Sequence, residues 1–286
     1  MKRILITGKD SYIGTSFEKW VSMWPEKYEV ATVDTINNQW KAIDFSSFDV
    51  ILHVAAIVHK KEKKELADLY EKINCNLPIE ISQKAKLEGV KQFIFMSTMS
   101  VYGIDTGVVD QNTLLNPKTL YGKSKLKAEN KLKKIESNCF KITIIRPPMV
   151  YGKYAKGNYR RLAKVARKIP IFPDIQNERS MIYIDNLCEA IRIAIEKEKT
   201  GILFPQNKEY VQTTELVKNI AVTHGKAVLF IKWFNPLIQV GIKKSSFMKK
   251  IFGSLVYEKS MSTKDGFNYC LVGFEESIKI TETQNK

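Results

Sequence analysis

The amino-terminal stretch Lys2-Arg3-Ile4-Leu5-Ile6-Thr7 is short and apolar. It runs directly into Gly8-Lys9-Asp10-Ser11-Tyr12-Ile13-Gly14, and Thr15 to Met23 then follows with helical spacing. A buried strand, a glycine turn and a helix in succession form the opening of a dinucleotide fold, where helix N-terminal amides hold a pyrophosphate. Gly8 permits the tight turn, and Gly14 lets the helix pack closely on the strand. Ser11 stands at the middle position of the G-x-x-G-x-x-G pattern, where its side chain either crowds a cofactor or donates a hydrogen bond to it. An ordinary β-turn-α connection shares this pattern, so the rest of the chain has to decide.

The rest alternates strand and helix, which predicts a parallel sheet. Strands are expected at 2–7, 28–33, 49–54, 91–96 and 141–145, and helices near 14–23, 64–88, 117–136 and 185–197, the last capped by Asp185. The fold class is α/β, a Rossmann-type doubly wound parallel sheet with a smaller C-terminal substrate-binding lobe. Residues 1–155 are assigned to the dinucleotide-binding domain, onto which helix 185–197 packs back, and 156–286 mainly to the lobe. Asp34 to Phe48 leaves little room for a full crossover helix between the second and third strands. Asp34 itself lies twenty residues beyond Gly14, where an acidic residue bonds adenosine ribose hydroxyls and disfavours a 2′-phosphate.

Chemistry concentrates in two later segments. In Asn116-Pro117-Lys118-Thr119-Leu120-Tyr121-Gly122-Lys123-Ser124-Lys125, a helix started by Asn116 and Pro117 would put Tyr121 and Lys125 on one face. An ammonium beside a phenol favours the phenolate, making the ring a usable proton donor or acceptor. In a lysine-rich chain the same spacing also suits a solvated helix face. Phe93-Ile94-Phe95-Met96-Ser97-Thr98 reads as a central strand that delivers hydroxyls at its carboxyl end, where parallel sheets bind ligands.

Together these segments resemble the extended short-chain dehydrogenases/reductases, the nucleotide-sugar epimerases, dehydratases and 4-ketoreductases of the NAD-dependent epimerase/dehydratase family. The glycine loop, Ala55-Ala56, Asn74, Ser97-Thr98 with Val101-Tyr102-Gly103, Tyr121/Lys125 and Arg146-Pro147-Pro148-Met149-Val150-Tyr151-Gly152 occur in that family's order, over about residues 1–220. From Arg146 to Asp185 the chain is most similar to capsule and O-antigen enzymes that reduce a UDP-4-keto-6-deoxy-N-acetylhexosamine to UDP-N-acetylfucosamine or UDP-N-acetylquinovosamine. The resemblance implies an oxidoreductase using NAD(H) or NADP(H), with Asp34 leaning towards NAD(H). Tyr121 would donate the proton to the C4 oxygen, Thr98 would hydrogen-bond that oxygen, and Lys125 would hold the nicotinamide ribose. Gly8, Ser11, Tyr12, Ile13, Gly14, Asp34, Ala55, Ala56 and Asn74 would line the cofactor, and Ser97, Asn158 and Arg179 the UDP-sugar. A UDP-hexose 4-epimerase, which uses the same trio, is the alternative. A non-catalytic cofactor sensor is a third reading, and the intact tyrosine argues against it.

Two departures narrow the reading. Met99-Ser100 replace the Asp-Glu pair of sugar 4,6-dehydratases, which argues against dehydration. The late diphosphate-binding arginine is also missing from 250–275, where the cations of the region are Lys249, Lys250, Lys259 and Lys264. Four scattered cysteines and three histidines without ligand spacing point to a reducing cytoplasm and no metal. The chain opens on a strand and has no bilayer-length apolar run, so neither a signal peptide nor a spanning helix is expected. The net charge of +16 is mostly lysine on helix faces, such as Lys60 to Lys64 and Lys123 to Lys134. No nucleic-acid motif accompanies it, so nucleic acid is not expected as a partner. The resemblance is compatible with a homodimer. Val228 to Ile238, followed by Lys243, Lys244, Lys249 and Lys250, predicts a core strand to about Trp233. A helix interrupted by Pro236 would then pack its apolar side on the lobe, with peripheral attachment to anionic lipid as the competing reading.

Overall fold

The computed structural model describes residues 1–58, 63–263 and 266–283; Lys60, Lys61 and Lys264, noted above, lie outside the described residues. In chain order come β1 (Lys2–Thr7), α1 (Tyr12–Val21), β2 (Tyr28–Val33), β3 (Val50–His53), α2 (Ala67–Tyr70) and α3 (Leu77–Leu87). Next are β4 (Gln92–Met96), β5 (Gly107–Val109), α4 (Leu120–Leu132), β6 (Lys141–Ile145), β7 (Met149–Tyr151) and α5 (Asn158–Ala166). Then follow β8 (Ile171–Pro173), β9 (Met181–Tyr183), α6 (Ile184–Glu196), β10 (Gly201–Leu203) and α7 (Thr213–Thr223). The last elements are β11 (Leu229–Ile231), α8 (Asn235–Lys244), α9 (Ser246–Phe252), β12 (Leu255–Tyr257), α10 (Lys259–Thr263) and α11 (Phe274–Thr283).

Residues 1–103, 114–147 and 188–205 form one compact unit, and 104–113, 148–187 and 206 onward form another. The first unit is built on a six-stranded sheet of order β10-β6-β4-β3-β1-β2, parallel throughout. β1 has β2 on one side and β3 on the other, so the strand order reverses beside the Gly8 turn. Open α/β sheets bind their ligands at such a point. The short β2–β3 connection contains no further strand, so β2 is left at the sheet edge. It holds only the single 3₁₀ turn Gln39–Ala42, and Trp40 sinks into the core against Phe45 at 6.5 Å. Because this sheet is covered on both faces, β3 and β4 are buried along their whole length. Full burial of a side chain such as Phe93 or Phe95 contributes about 1.5–3 kcal/mol.

The five expected strands agree with β1, β2, β3, β4 and β6 to within a residue, while β10 at the sheet edge was not foreseen. The helices differ more. The expected helix 64–88 is broken by a wide π turn, Glu71–Asn76. Pro78 has no N–H to return to the Asn74 carbonyl, and such turns form where the regular ladder is interrupted. Capping is corrected at two others. α4 starts at Leu120 under Thr119, whose hydroxyl accepts from the Gly122 amide at 3.0 Å, and not under Asn116. The Asn116 carbonyl instead passes so close to Gly103 (φ +67°) that a Cβ there would lie 1.8 Å from it. α6 begins at Ile184, which places Asp185 inside its first turn instead of at the cap. Farther along, the Gln92 amide donates to the Ala194 and Lys199 carbonyls at 3.2 and 3.1 Å, tying the end of α6 to the sheet.

The second unit holds three two-stranded parallel pairs, β7 with β9, β8 with β11, and β5 with β12. The expectation for its basic region is corrected. β11 ends at Ile231, Pro236 sits in the first turn of α8 where its missing N–H costs nothing, and Ile238 alone of α8 is buried. Leu237 and Val240 face solvent.

Candidate active site

The β1–α1 turn is shaped by backbone room. Gly8 has φ +121°, and a Cβ on it would stand 2.7 Å from the Ala55 amide nitrogen. A Cβ on Gly14 meets Ile6 and Val54 at 3.1 and 3.2 Å. Ser11 caps α1, its hydroxyl accepting from the Gly14 amide at 3.2 Å, so this serine shapes the loop from within. Tyr12 and Ile13 follow, half-buried, in the first turn. Ala55, in turn, donates its amide to the Thr7 carbonyl at 3.0 Å, with half-buried Ala56 next to it. This side-chain-free cradle ahead of a helix N-terminus fits a dinucleotide diphosphate.

Asn74 is placed beneath this loop and is wholly buried. It accepts from the Ile57 amide at 2.8 Å and donates to the Ile57 carbonyl and the Ser124 hydroxyl, both at 3.2 Å. All its polar atoms are engaged with protein, so its placement is that of a positioning residue for residues 55–57. Asp34 follows β2, half-buried, and accepts from the Ile36 amide at 2.9 Å. Asp34→Ala is expected to shift cofactor preference from NADH towards NADPH by relieving repulsion of a 2′-phosphate. Kinetics with both cofactors check this, and strong NADPH preference in the unaltered protein would remove Asp34 from the ribose.

Tyr121 and Lys125 lie one turn apart on α4, and Thr98 stands just past the carboxyl end of β4. The Tyr121 phenol is pushed up to about 12, chiefly by burial and secondarily by Tyr70, against a hydrogen bond from Thr98 that lowers it. Thr98 also accepts from the Ser100 amide at 3.1 Å, which holds its rotamer. Lys125 is fully buried. Its ammonium donates to the Met96 carbonyl at 2.7 Å and sits 4.4 Å from the Phe95 ring centre. Burial pushes Lys125 down to about 7, with Glu129 opposing. The expectation that this lysine depresses the tyrosine is therefore corrected for the resting protein: burial dominates both groups, and the phenol keeps its proton.

A stability signature follows from Lys125. Its folded-state value lies below the ordinary 10.5, so between about pH 7 and 10.5 the unfolded chain binds more protons, and stability attributable to this group rises with pH. The slope is at most about 1.4 kcal/mol per pH unit. Denaturation of the unaltered protein and of Lys125→Met from pH 7 to 9.5 should show an upward slope that the variant lacks. Parallel curves would mean that burial does not depress Lys125 in the folded protein.

Behind the trio lies a buried charge network. Glu129 accepts from the Arg146 Nε at 3.0 Å and Nη2 at 2.5 Å, and from the Ser97 hydroxyl; Arg146 also donates to the Tyr102 hydroxyl at 2.9 Å. Burial works against the Arg146 charge, and the Glu129 carboxylate more than offsets it, raising the guanidinium. Ser97, expected at the sugar, is 2% exposed and committed to Glu129. His53 is buried nearby, its Nδ1 paired with the Thr7 hydroxyl at 2.8 Å and its ring stacked on Phe93 and Phe95. Burial, and then Lys125, hold it well below its ordinary value, so it is neutral.

In the second unit, Asn158 opens α5 and Arg179 precedes β9, and both line one pocket together with Lys250 of α9. Arg179 Nη1 donates to the Gly253 and Lys249 carbonyls at 2.7 and 3.3 Å. Burial lowers this guanidinium, and Asp105 partly offsets the effect. The sequence offered only lysines in place of a late arginine, and among the described ones Lys250 lines this pocket. Arg179 is held by these carbonyls, while Lys250 is exposed, and the two bring positive charge to the pocket.

The profile of the NAD dependent epimerase/dehydratase family matches residues 4–204. The chain belongs to this family. A UDP-glucose 4-epimerase of Vibrio cholerae is 27% identical, covering 89% of this chain and 86% of that protein. The N-acetyl-alpha-D-glucosaminyl-diphospho-ditrans,octacis-undecaprenol 4-epimerase of Escherichia coli O157:H7 is 26% identical over 82% of this chain and 73% of its own. Two solved structures share the fold at 20% identity. UDP-glucuronic acid 4-epimerase of Bacillus cereus, in complex with NAD, has a TM-score of 0.72 and covers 98% of this chain and 97% of its own. The dTDP-4-dehydrorhamnose reductase of Bacillus anthracis, in complex with NADP, has a TM-score of 0.73 with full coverage of both chains.

For a member of this epimerase/dehydratase family, three residues at the site went unnoticed in the sequence. Ser124 relays Asn74 to α4, donating to the Tyr121 carbonyl at 2.9 Å. Glu129 lies one turn past Lys125, and its acidic character amid lysines was the available signal. His53 gave none, because an isolated histidine in an apolar strand has no distinguishing pattern.

Proposed function

We propose that this protein is an NAD(P)H-dependent nucleotide-sugar 4-ketoreductase, acting on a UDP-4-keto-6-deoxy-N-acetylhexosamine. The observation that carries the reading is the Tyr121 phenol hydrogen-bonded to Thr98, with Lys125 one turn along α4. A ketone being reduced develops negative charge on its oxygen, and a positioned acid with a second hydroxyl donor is what that oxygen needs. A bound nicotinamide supplies the hydride. Tyr121 transfers its proton to the C4 oxygen, and Thr98 orients that oxygen by donating to it. Lys125, one turn along α4, holds the cofactor ribose. Asn158, Arg179 and Lys250 bind the diphosphate of the sugar, and Ser97 with Glu129 and Arg146 braces the strand that presents Thr98.

A 4-epimerase is the second reading, favoured by the activities named for the Vibrio and Escherichia relatives. It uses the same trio, with Tyr121 first accepting the C4 hydroxyl proton and then returning it after the keto sugar has turned over. The abbreviated β2–β3 connection, which resembles that of the reductase that makes dTDP-rhamnose, leans towards the reductase. Purification decides between them. Loosely exchanging cofactor, with NAD(P)H consumed on adding the 4-keto sugar, is expected. NAD retained through gel filtration, together with interconversion of UDP-glucose and UDP-galactose or their N-acetyl forms without added cofactor, would establish the epimerase instead.

A further inference from the structure

Outside the candidate site, the α8–α9 hairpin shows an unusual surface. Trp233, Leu237 and Val240 succeed one another at four and three residues, so they line one edge of α8 and its lead-in. They are 85%, 73% and 51% exposed, and Lys244 continues the row. The other edge is occupied. Ile238 is buried, and a Cβ on Gly241 would come within 3.2 Å of Met248, so glycine is what lets α9 pack against α8. Asn235 fixes the start of the helix by donating to the Asp174 carbonyl at 2.8 Å. The charge is one-sided as well: from Leu216 to Tyr257 the chain has seven lysines and no Asp or Glu. Two of these lysines are paired, Lys218 with Glu215 at 3.5 Å and Lys232 with Asp174 at 3.7 Å, and neither acid lies on α8 or α9.

The geometry points to a peripheral contact between α8 and an anionic bilayer surface, with Trp233, Leu237 and Val240 entering the headgroup boundary and the surrounding lysines meeting lipid phosphates. An apolar row beside a basic flank is the pattern of helices that lie in the interface, and tryptophan favours that depth. Lysines close to an anionic leaflet add attraction that salt screens. A second copy of this chain fits less well. A stable interface buries roughly 800 Å² per partner, more than three side chains supply, and two lysine rims would repel. No described helix is long and apolar enough to cross a membrane, so the contact is peripheral. Lys250 and Ile251 of α9 line the pocket of Asn158 and Arg179, so this contact seats that pocket at the bilayer. The proposal stands apart from the catalytic reading, because its test reads binding alone.

Cosedimentation with vesicles of phosphatidylcholine alone and of phosphatidylcholine with phosphatidylglycerol, at low and high salt, tests it. Partitioning at least tenfold stronger onto the anionic vesicles at low salt is expected, and most of it should be lost at high salt. Leu237→Glu with Val240→Glu, both at exposed positions, should reduce it at least tenfold while leaving the circular dichroism and melting curve unchanged. Equal binding to neutral vesicles, no binding at low salt, or unaltered binding by the double variant would each overturn the proposal. So would a concentration-dependent dimer in sedimentation velocity that the double variant abolishes.

Discussion

Replacing Tyr121 with Phe is expected to lower turnover by about two to four orders of magnitude, the usual worth of a positioned general acid, with cofactor and UDP binding nearly unchanged. The expectation rests on geometry that the substitution barely disturbs. The ring keeps its half-buried place at the start of α4, and only the hydroxyl shared with Thr98 is lost. Steady-state rates with the 4-keto sugar, alongside calorimetric titration of UDP, separate the two effects. Turnover within a few-fold of the unaltered protein would remove Tyr121 from the chemistry. Reduced turnover with equally reduced UDP affinity would mean that the phenol binds instead of reacting.

Glu129→Ala should give the largest loss of stability, about 3–5 kcal/mol, because it strands the Arg146 guanidinium in the protein interior. Glu129 is wholly buried and Arg146 3% exposed, so water cannot take over. Urea denaturation followed by circular dichroism measures the loss. Replacing both residues together, Glu129→Leu with Arg146→Met, should recover part of it, since an apolar pair leaves no unpaired charge. A loss below about 1 kcal/mol in the single variant would show that the pair is not desolvated as described. Ser97 donates to the same carboxylate, so the single variant is also expected to loosen the strand end that presents Thr98.

The parts of the fold legible in the sequence were those set by short-range pattern. β1, β3 and β4 are uninterrupted apolar runs, and a buried parallel strand has no other appearance. Gly8 and Gly14 could be read because backbone room at a turn admits no other residue. Helix starts were misread where two candidate caps competed. Thr119 outbid Asn116 because the Asn116 carbonyl passes against Gly103, a contact between residues thirteen apart that no local rule contains. β10 was missed because three residues between a helix and a proline carry too little period to be distinguished from a turn.

At the candidate site, residue identity was easier to read than residue orientation. Tyr121 and Lys125 could be read from their spacing, and Thr98 from its place at the end of an apolar run. That Lys125 turns to the Met96 carbonyl, or that Ser97 turns to Glu129, depends on partners 29 and 32 residues away. The same holds for Asn74, whose amide is consumed by Ile57 and Ser124 once the π turn places it under the loop. The α8 surface was misjudged for a related reason. A proline inside an apolar segment reads as a break, whereas Pro236 in the first turn of α8 is a starting residue.

The most direct test of the central claim supplies the protein with UDP-4-keto-6-deoxy-N-acetylhexosamine and NADH or NADPH deuterated on the transferable face of the nicotinamide, with the product analysed by NMR. One deuterium at C4 of the sugar for each reduced cofactor consumed is the expected result, abolished in Tyr121→Phe. Hydrogen from water at C4, or no consumption of reduced cofactor while UDP-hexoses interconvert, would contradict it.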